Sequence, residues 1–165
     1  MSSLRLPADV AQAAWPQALR LEPMRQADLD EVARIEAASY EFPWTRGNFA
    51  DALANANDGW VLRAKDGRML GYFLLMMAVD EGHLLNITVA PESRNQGLCL
   101  KMLCAANQRA RVQGMASMLL EVRPSNQRAI DIYQRHGYTR IGMRKGYYPA
   151  PGAQREDAIV MRLPL

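Results

Sequence analysis

The pattern of apolar and polar positions divides the chain into short elements of two different periods. Leu19 to Met24 alternates as a short strand, and Asp28 to Ser39 sets Leu29, Val32, Ile35 and Glu36 at helical spacing. Thr45 is placed to cap a second helix that runs to about Asn55. Trp60 to Ala64 and Met69 to Val79 flank Lys65-Asp66-Gly67-Arg68, a hairpin turn, and Asp80-Glu81-Gly82 turns the chain into the apolar run Leu84 to Val89. After Pro91 the period lengthens to that of a helix as far as Gln113. A strand at Met118 to Val122, a helix at Ser125 to His136, a strand at Tyr138 to Gly142 and a last strand near Asp157 to Leu163 follow. The predicted order is β, α, α, β, β, β, α, β, α, β, β, an α/β (α+β) chain with at least three antiparallel strands. Val10, Ala11 and Ala14 fit either a short helix or a flexible arm, so residues 1–15 stay open between the two.

A length of 165 residues suits one domain with its own core, and 49% hydrophobic against 22% charged residues is a globular composition. The net charge of +3 is mild, consistent with a polyanionic cofactor or a ribosomal neighbour and equally with an ordinary solvated surface. Cys99 and Cys104, the 2 cysteines, lie in one predicted helix pointing apart and read as free thiols, with Cys104 in the core. Met1 to Pro7 contains no apolar signal-like stretch. Met69 to Val79, the longest apolar run, is far short of the roughly 20 residues that span a bilayer. A cytoplasmic protein without membrane contact is expected. His83 and His136 form no ligand spacing, and no metal is expected.

The densest chemistry lies in Arg94-Asn95-Gln96-Gly97-Leu98-Cys99, between the run ending at Val89 and the helix that follows. A glycine turn from strand into helix leaves backbone N–H groups unpaired at the positive end of the helix dipole, which suits phosphate. Further on come Leu119-Leu120-Glu121-Val122-Arg123-Pro124-Ser125-Asn126, Ala129-Ile130-Asp131-Ile132-Tyr133 and His136-Gly137-Tyr138. Glu121 is the one acid in the otherwise apolar Met118 to Val122. As a partly desolvated base it could accept an ammonium proton; the plain structural alternative is a strand-end glutamate paired with Arg123 or another cation. Tyr133 shares an apolar stripe with Ala129 and Ile130, so it is either a core aromatic or a phenol aimed at a leaving group. Asn126 could bond a ligand or share helix capping with Ser125. Phe42-Pro43-Trp44 and Tyr147-Tyr148-Pro149 offer aromatic surface to an extended peptide, or simply anchor loops. Arg155-Glu156-Asp157 either opens the last strand or sets charges beside a basic peptide.

These residues resemble the GCN5-related N-acetyltransferase (GNAT) family, and within it the RimI type that acetylates the N-terminal alanine of a small-subunit ribosomal protein. The resemblance runs from about Leu21 to Leu163 and rests on Asn86 to Pro91, Arg94 to Cys99, Leu120 to Arg123 with Ser125-Asn126, Tyr147 to Pro149, and Arg155 to Ala158. It implies a mixed, mostly antiparallel sheet flanked by about four helices, its central strands splayed to admit the pantetheine arm of acetyl-CoA. It also implies Glu121 as proton acceptor, Tyr133 as general acid, and Asn126 in contact with the cofactor. The amides of Arg94, Asn95, Gln96, Gly97, Leu98, Cys99 and Leu100 would hold the pyrophosphate. Backbone groups at Ile87, Thr88 and Val89 would pair with pantetheine and polarise the thioester. Phe42, Trp44, Tyr147 and Tyr148 correspond to segments bordering the peptide site. Cys99 departs from the family pattern, which has glycine or alanine there, and reads as a small packed residue.

An α-amino group, with a pKa near about 8, is neutral in about a tenth of molecules at pH 7, whereas lysine near about 10.4 is neutral in about 0.04%. An N-terminal substrate thus asks less of its base. A phenol at about 10 giving a proton to a thiolate at about 8.5 is uphill, which calls for donation concerted with bond cleavage or for a lowered tyrosine pKa. Two other functions stay open: a GNAT acting on a lysine or small amine, and a non-catalytic module using the CoA site as a sensor or a basic surface for RNA. The presence of both Glu121 and Tyr133 speaks against a dead enzyme. With no arginine-rich stretch or stacking motif, no nucleic-acid contact is expected. Nothing in the sequence fixes the oligomeric state.

Overall fold

The computed structural model describes residues 18–165, so the open question about residues 1–15 lies outside the described residues. Seven strands form one sheet in the order β1-β2-β3-β4-β5-β7-β6. They are β1 (Leu19–Pro23), β2 (Asp58–Ala64), β3 (Met69–Ala78), β4 (Glu81–Val89), β5 (Ser117–Val122), β6 (Thr139–Pro149) and β7 (Arg155–Pro164). Among the described residues, four α-helices accompany them: α1 (Leu29–Ser39), α2 (Arg46–Ala54), α3 (Leu98–Val112) and α4 (Gln127–Arg135). All neighbours are antiparallel except β4 and β5. That exception follows from α3, a helical crossover long enough to return the chain to the same end of the sheet.

Two apolar clusters cover the two faces of the sheet. On one, Met102, Leu103, Ala106 and Ala110 of α3 and Ile130 and Tyr133 of α4 pack against Phe73, Leu75, Met118 and Leu120. On the other, Leu29, Val32 and Ile35 of α1 and Phe49 of α2 pack against Val61, Met69 and Tyr72. Coverage on both faces explains why the central strand β3 reads as a continuous apolar run rather than an alternating one. Thr45 caps α2 as expected, accepting from the Asn48 amide at 3.1 Å.

Four expectations need correction. The β3–β4 hairpin turns at Val79-Asp80, with Val79 at φ +56°, and β4 begins at Glu81, so Glu81 and Gly82 belong to the strand. Tyr138 to Gly142 is only the start of β6, which continues to Pro149, because Asp157 and Arg155 stitch an irregular segment into the ladder. Gly146 N–H donates to Asp157 Oδ1 at 2.8 Å, and Arg155 Nε donates to Gly146 O at 2.6 Å. Cys104 is exposed rather than core, its sulfur 3.8 Å from His136 Nε2. Ser125 does not share in capping α4, since both its amide and its hydroxyl bond Glu156.

The sheet opens where β4 and β5 part. Their parallel pairing runs only from Glu81↔Ser117 to Leu84↔Leu120, although β4 continues to Val89 and β5 to Val122. The cause is local. Leu75 of β3 pairs with Leu84 while Leu74 pairs with Asn86, so Leu85 is an extra residue, and such a bulge bends its strand.

Candidate active site

Beyond Leu84 the edge of β4 that faces β5 has no strand partner, which exposes backbone donors and acceptors of residues 85–89 along one side of a cleft. At its end, Asn95 (φ +63°) and Gly97 (φ +73°) both take the left-handed conformation, and Gly97 is the N-cap of α3 with no side-chain cap bond. The first helical bond there runs from Lys101 N–H to Gly97 O, so the amides of the first turn point outward without intrahelical partners. A Cβ built at Gly97 would meet nothing within 4 Å, so the turn itself faces open space. Arg94 folds back to donate to Val89 O at 3.3 Å, and Arg128 of α4 donates to Asn95 Oδ1 at 2.5 Å, fixing the turn from both ends. A strip of free backbone leading to a helix N-terminus fits an extended amide-bearing arm that ends in phosphates.

The individual side chains divide between lining this cleft and supporting it. Leu98 is buried in the core, Leu100 and Gln96 are exposed, and Ile87, Thr88 and Val89 are at least half-buried along the cleft. The Cys99 thiol is half-buried and pushed up by burial, partly offset by the positive charge of Arg128. Asn126 spends its carbonyl on capping α4, accepting from Ala129 N–H at 3.3 Å, so only its NH2 end is available to a ligand.

Glu121 lies one residue past the last β4–β5 pair. Met118, Leu120 and Val122 point into the α3 side, so alternation turns Glu121 to the opposite face. Its side chain is 7% exposed and doubly held: His83 Nε2 lies 2.5 Å from Oε2, and Arg144 Nε lies 3.3 Å from Oε1. The carboxylate is therefore paired with a cation, one of the two readings open from the sequence. Its partner is not Arg123, which instead contacts Glu156 at 3.2 Å and Pro149 O at 2.8 Å.

Tyr133 lies on the other face, packed on Tyr138 with ring centroids 5.9 Å apart. Burial pushes its phenol well above the ordinary range, and nearby Cys99, Tyr40, Tyr138 and Tyr148 add to the rise. Of the two routes open from the sequence, the raised phenol favours donation concerted with bond cleavage over a lowered tyrosine pKa. Burial raises the Tyr148 phenol, and the charge of Glu121 adds to the rise.

The four aromatic candidates part company. Tyr147 and Tyr148 stack edge-on at 4.8 Å, with Arg144 5.6 Å over Tyr147 and Arg123 4.4 Å over Tyr148. Phe42 is exposed, 5.8 Å from the Arg123 guanidinium, which therefore spans from the α1–α2 loop to β6. Trp44 turns inward onto Phe49 at 5.2 Å, a loop anchor. Arg155, Glu156 and Asp157 are all engaged in holding β6 and the β5–α4 turn.

A network that the sequence did not announce runs behind β4, joining Tyr40, Asn86 and Glu36 to the candidate Thr88. Tyr40 Oη reaches Thr88 Oγ1 and Ile87 O; Thr88 Oγ1 donates to Asn86 Oδ1 at 2.8 Å. Asn86 Nδ2 donates to both oxygens of Glu36 at 3.2 Å, and Glu36 also accepts from Tyr72 Oη and from Trp44 N–H. Burial raises the Glu36 carboxyl, against the lowering effect of those hydrogen bonds. The one signal for this network was a glutamate on the apolar stripe of α1. His83 and Arg144 gave no signal, because only the strand register brings them to Glu121. Among the described residues, no group of three or more His, Cys, Asp or Glu side chains could hold a metal ion, and no helix is long and apolar enough to cross a membrane.

A cleft of this shape at the split between two parallel strands defines an acyl-CoA-dependent transferase fold, and the sequence profile of the acetyltransferase (GNAT) family matches residues 29–138. The chain belongs to that family and is an acetyltransferase that uses acetyl-CoA. It is 33% identical to the [ribosomal protein bS18]-alanine N-acetyltransferase of Escherichia coli K12 over 142 residues, 86% of this chain and 95% of that protein. The crystal structure of the ribosomal-protein-S18-alanine N-acetyltransferase from Escherichia coli superposes with a TM-score of 0.81 at 32% identity, covering 88% of this chain and 93% of that one. The fold is shared, at 17% identity and a TM-score of 0.75, with a Vibrio cholerae spermidine N-acetyltransferase solved with CoA and spermine, across 90% of this chain and 96% of that one.

Proposed function

We propose that the protein transfers the acetyl group of acetyl-CoA to the N-terminal α-amino group of a ribosomal protein, an alanine N-terminus of the bS18 type being the substrate. The observation that carries this reading is the opening between β4 and β5 past Leu84 and Leu120, with Glu121 the next residue on β5. Similarity along most of the chain to enzymes named for that reaction supports the choice of amine.

In this mechanism the amides of residues 94–100 hold the pyrophosphate, and backbone groups of Ile87, Thr88 and Val89 align the pantetheine arm and polarise the thioester carbonyl. Glu121 takes a proton from the α-ammonium, directly or through water. The neutral nitrogen attacks the carbonyl carbon, the oxyanion collapses, and the C–S bond breaks. Tyr133 gives its proton to the departing sulfur, and the phenol is restored by the second proton that the acylated nitrogen loses as it becomes the amide, directly or through water. Because the phenol is held above its ordinary range, the transfer to sulfur accompanies cleavage rather than preceding it. Phe42, Tyr147 and Tyr148 flank the entrance on the Glu121 side and grip the peptide, while Trp44 supports the loop that carries Phe42. The catalysis takes place in the cytoplasm, where acetyl-CoA and nascent ribosomal proteins meet.

The experiment incubates purified protein with acetyl-CoA and a peptide that starts with alanine and carries an internal lysine, then locates the added mass. Acetylation of the α-amino group is expected; acetylation confined to lysine would remove this reading.

A further inference from the structure

Among the described contacts of Glu121, His83 is the one that can both take and release a proton, and the reaction as described leaves it idle. It sits opposite Leu119 in the parallel β4–β5 register, on the face to which alternation also turns Glu121, and its Nε2 lies 2.5 Å from Glu121 Oε2. We propose that His83 is the second station of a proton relay: Glu121 passes the proton taken from the substrate ammonium to His83 Nε2, and the imidazolium releases a proton from Nδ1 to solvent. This deepens the acetyltransferase reading and rests on it.

The argument is one of where a proton can rest. Arg144 Nε lies 3.3 Å from the other carboxylate oxygen, which leaves Oε2, the oxygen facing His83, to pass a proton on. The proton cannot move to Arg144, whose guanidinium has no acceptor capacity. The other polar groups of this corner, Tyr147 and Tyr148 on β6, both have phenols raised by burial and by Glu121 and are neutral donors. Across from His83 on β3 stands Met76, which carries no charge. The imidazole is the one side chain of this set with a nitrogen that can take a proton from Oε2 and a second nitrogen that can release one. Exposure favours the same direction: the Glu121 side chain is 7% exposed and that of His83 17%, so each transfer brings the proton closer to water. The charges balance, since one ammonium proton enters, one proton leaves, and both residues return to their starting forms. His83 acts through Glu121 without touching the amine, and is in that sense a positioning and relay residue.

The test compares wild type with His83→Gln, which keeps a hydrogen-bonding side chain but cannot titrate, in initial rates on an alanine-starting peptide from about pH 6 to 9. Expected is a fall in kcat of about tenfold, with KM for acetyl-CoA and for peptide within about twofold, and a pH profile whose shape differs from that of wild type. An unchanged kcat and profile would overturn the relay, as would a loss uniform across pH and carried by KM. A second measurement needs no turnover. With 2 histidines in the chain, the ring nitrogen shifts of His83 are readily assigned, and at neutral pH they should change in Glu121→Gln; identical shifts would refute the proton contact. If wild type acetylates no amine at all, the functional reading fails instead, and the ring shifts still decide the contact.

Discussion

Tyr40 Oη lies 2.7 Å from Thr88 Oγ1, tying the end of α1 to the strand that forms one wall of the cleft. Since Thr88 donates onward to Asn86, the phenol is the donor, and the chain Tyr40–Thr88–Asn86–Glu36 locks β4 against the loop carrying Phe42. Burial of the hydroxyl raises Tyr40 to about 12, so it stays a donor at every working pH. Tyr40→Phe should raise KM for acetyl-CoA severalfold while lowering stability by about 1 kcal/mol, read by initial rates and urea unfolding. No change in KM would mean that β4 keeps its shape without this bond.

Removing the Tyr133 hydroxyl tests the proton donor. The ring is packed on Tyr138 and buried at 7% exposure, so Tyr133→Phe keeps the packing. Turnover should fall about 10- to 100-fold with the fold intact by circular dichroism, because water can replace a lost acid only poorly. Equal rates for the variant would assign Tyr133 to the core alone.

The Glu36 carboxyl, raised by burial, binds its proton more tightly in the folded chain than in the unfolded one. Its contribution to stability is fully present below the unfolded value of about 4.3 and is lost as pH rises through the folded value. Measured against Glu36→Gln, which cannot titrate, the stability of wild type should therefore decline from about pH 4.3 upward and then level off. A difference flat in pH would contradict the raised carboxyl.

Gly71 on β3 has no room for a side chain. A Cβ there would come 2.6 Å from Thr88 O and 2.9 Å from Met102 Cε, pressing on the cleft wall and on α3 together. Gly71→Ala should destabilise by about 1–3 kcal/mol in chemical denaturation and weaken acetyl-CoA binding in the same protein. Wild-type stability would imply a backbone shift that the packing does not suggest.

The order of elements was legible in the sequence because each has a clear period and clear stops, from the Thr45 cap to the turn at Gly97. The later half of β6 was not, since its pairing depends on Asp157 and Arg155 bonding the backbone around Gly146, a contact no local pattern announces. Backbone elements of the site were readable for a related reason: a glycine turn entering a helix implies its free amides. Side-chain partners were hidden wherever strand register makes them, as with His83 and Arg144 on Glu121. Glu36 lay in plain view on an apolar stripe, but its meaning required Tyr72 and Asn86 from two other strands.

A crystal structure with CoA bound tests the central claim most directly. The account predicts the pantetheine arm between β4 and β5 along Ile87 to Val89, the pyrophosphate on the amides of residues 94–100, and the sulfur within reach of Tyr133 Oη with a direct or water-linked path to Glu121. A sulfur lying elsewhere, with the Glu121 carboxylate sealed off by His83 and Arg144 and joined to it by no water, would contradict it.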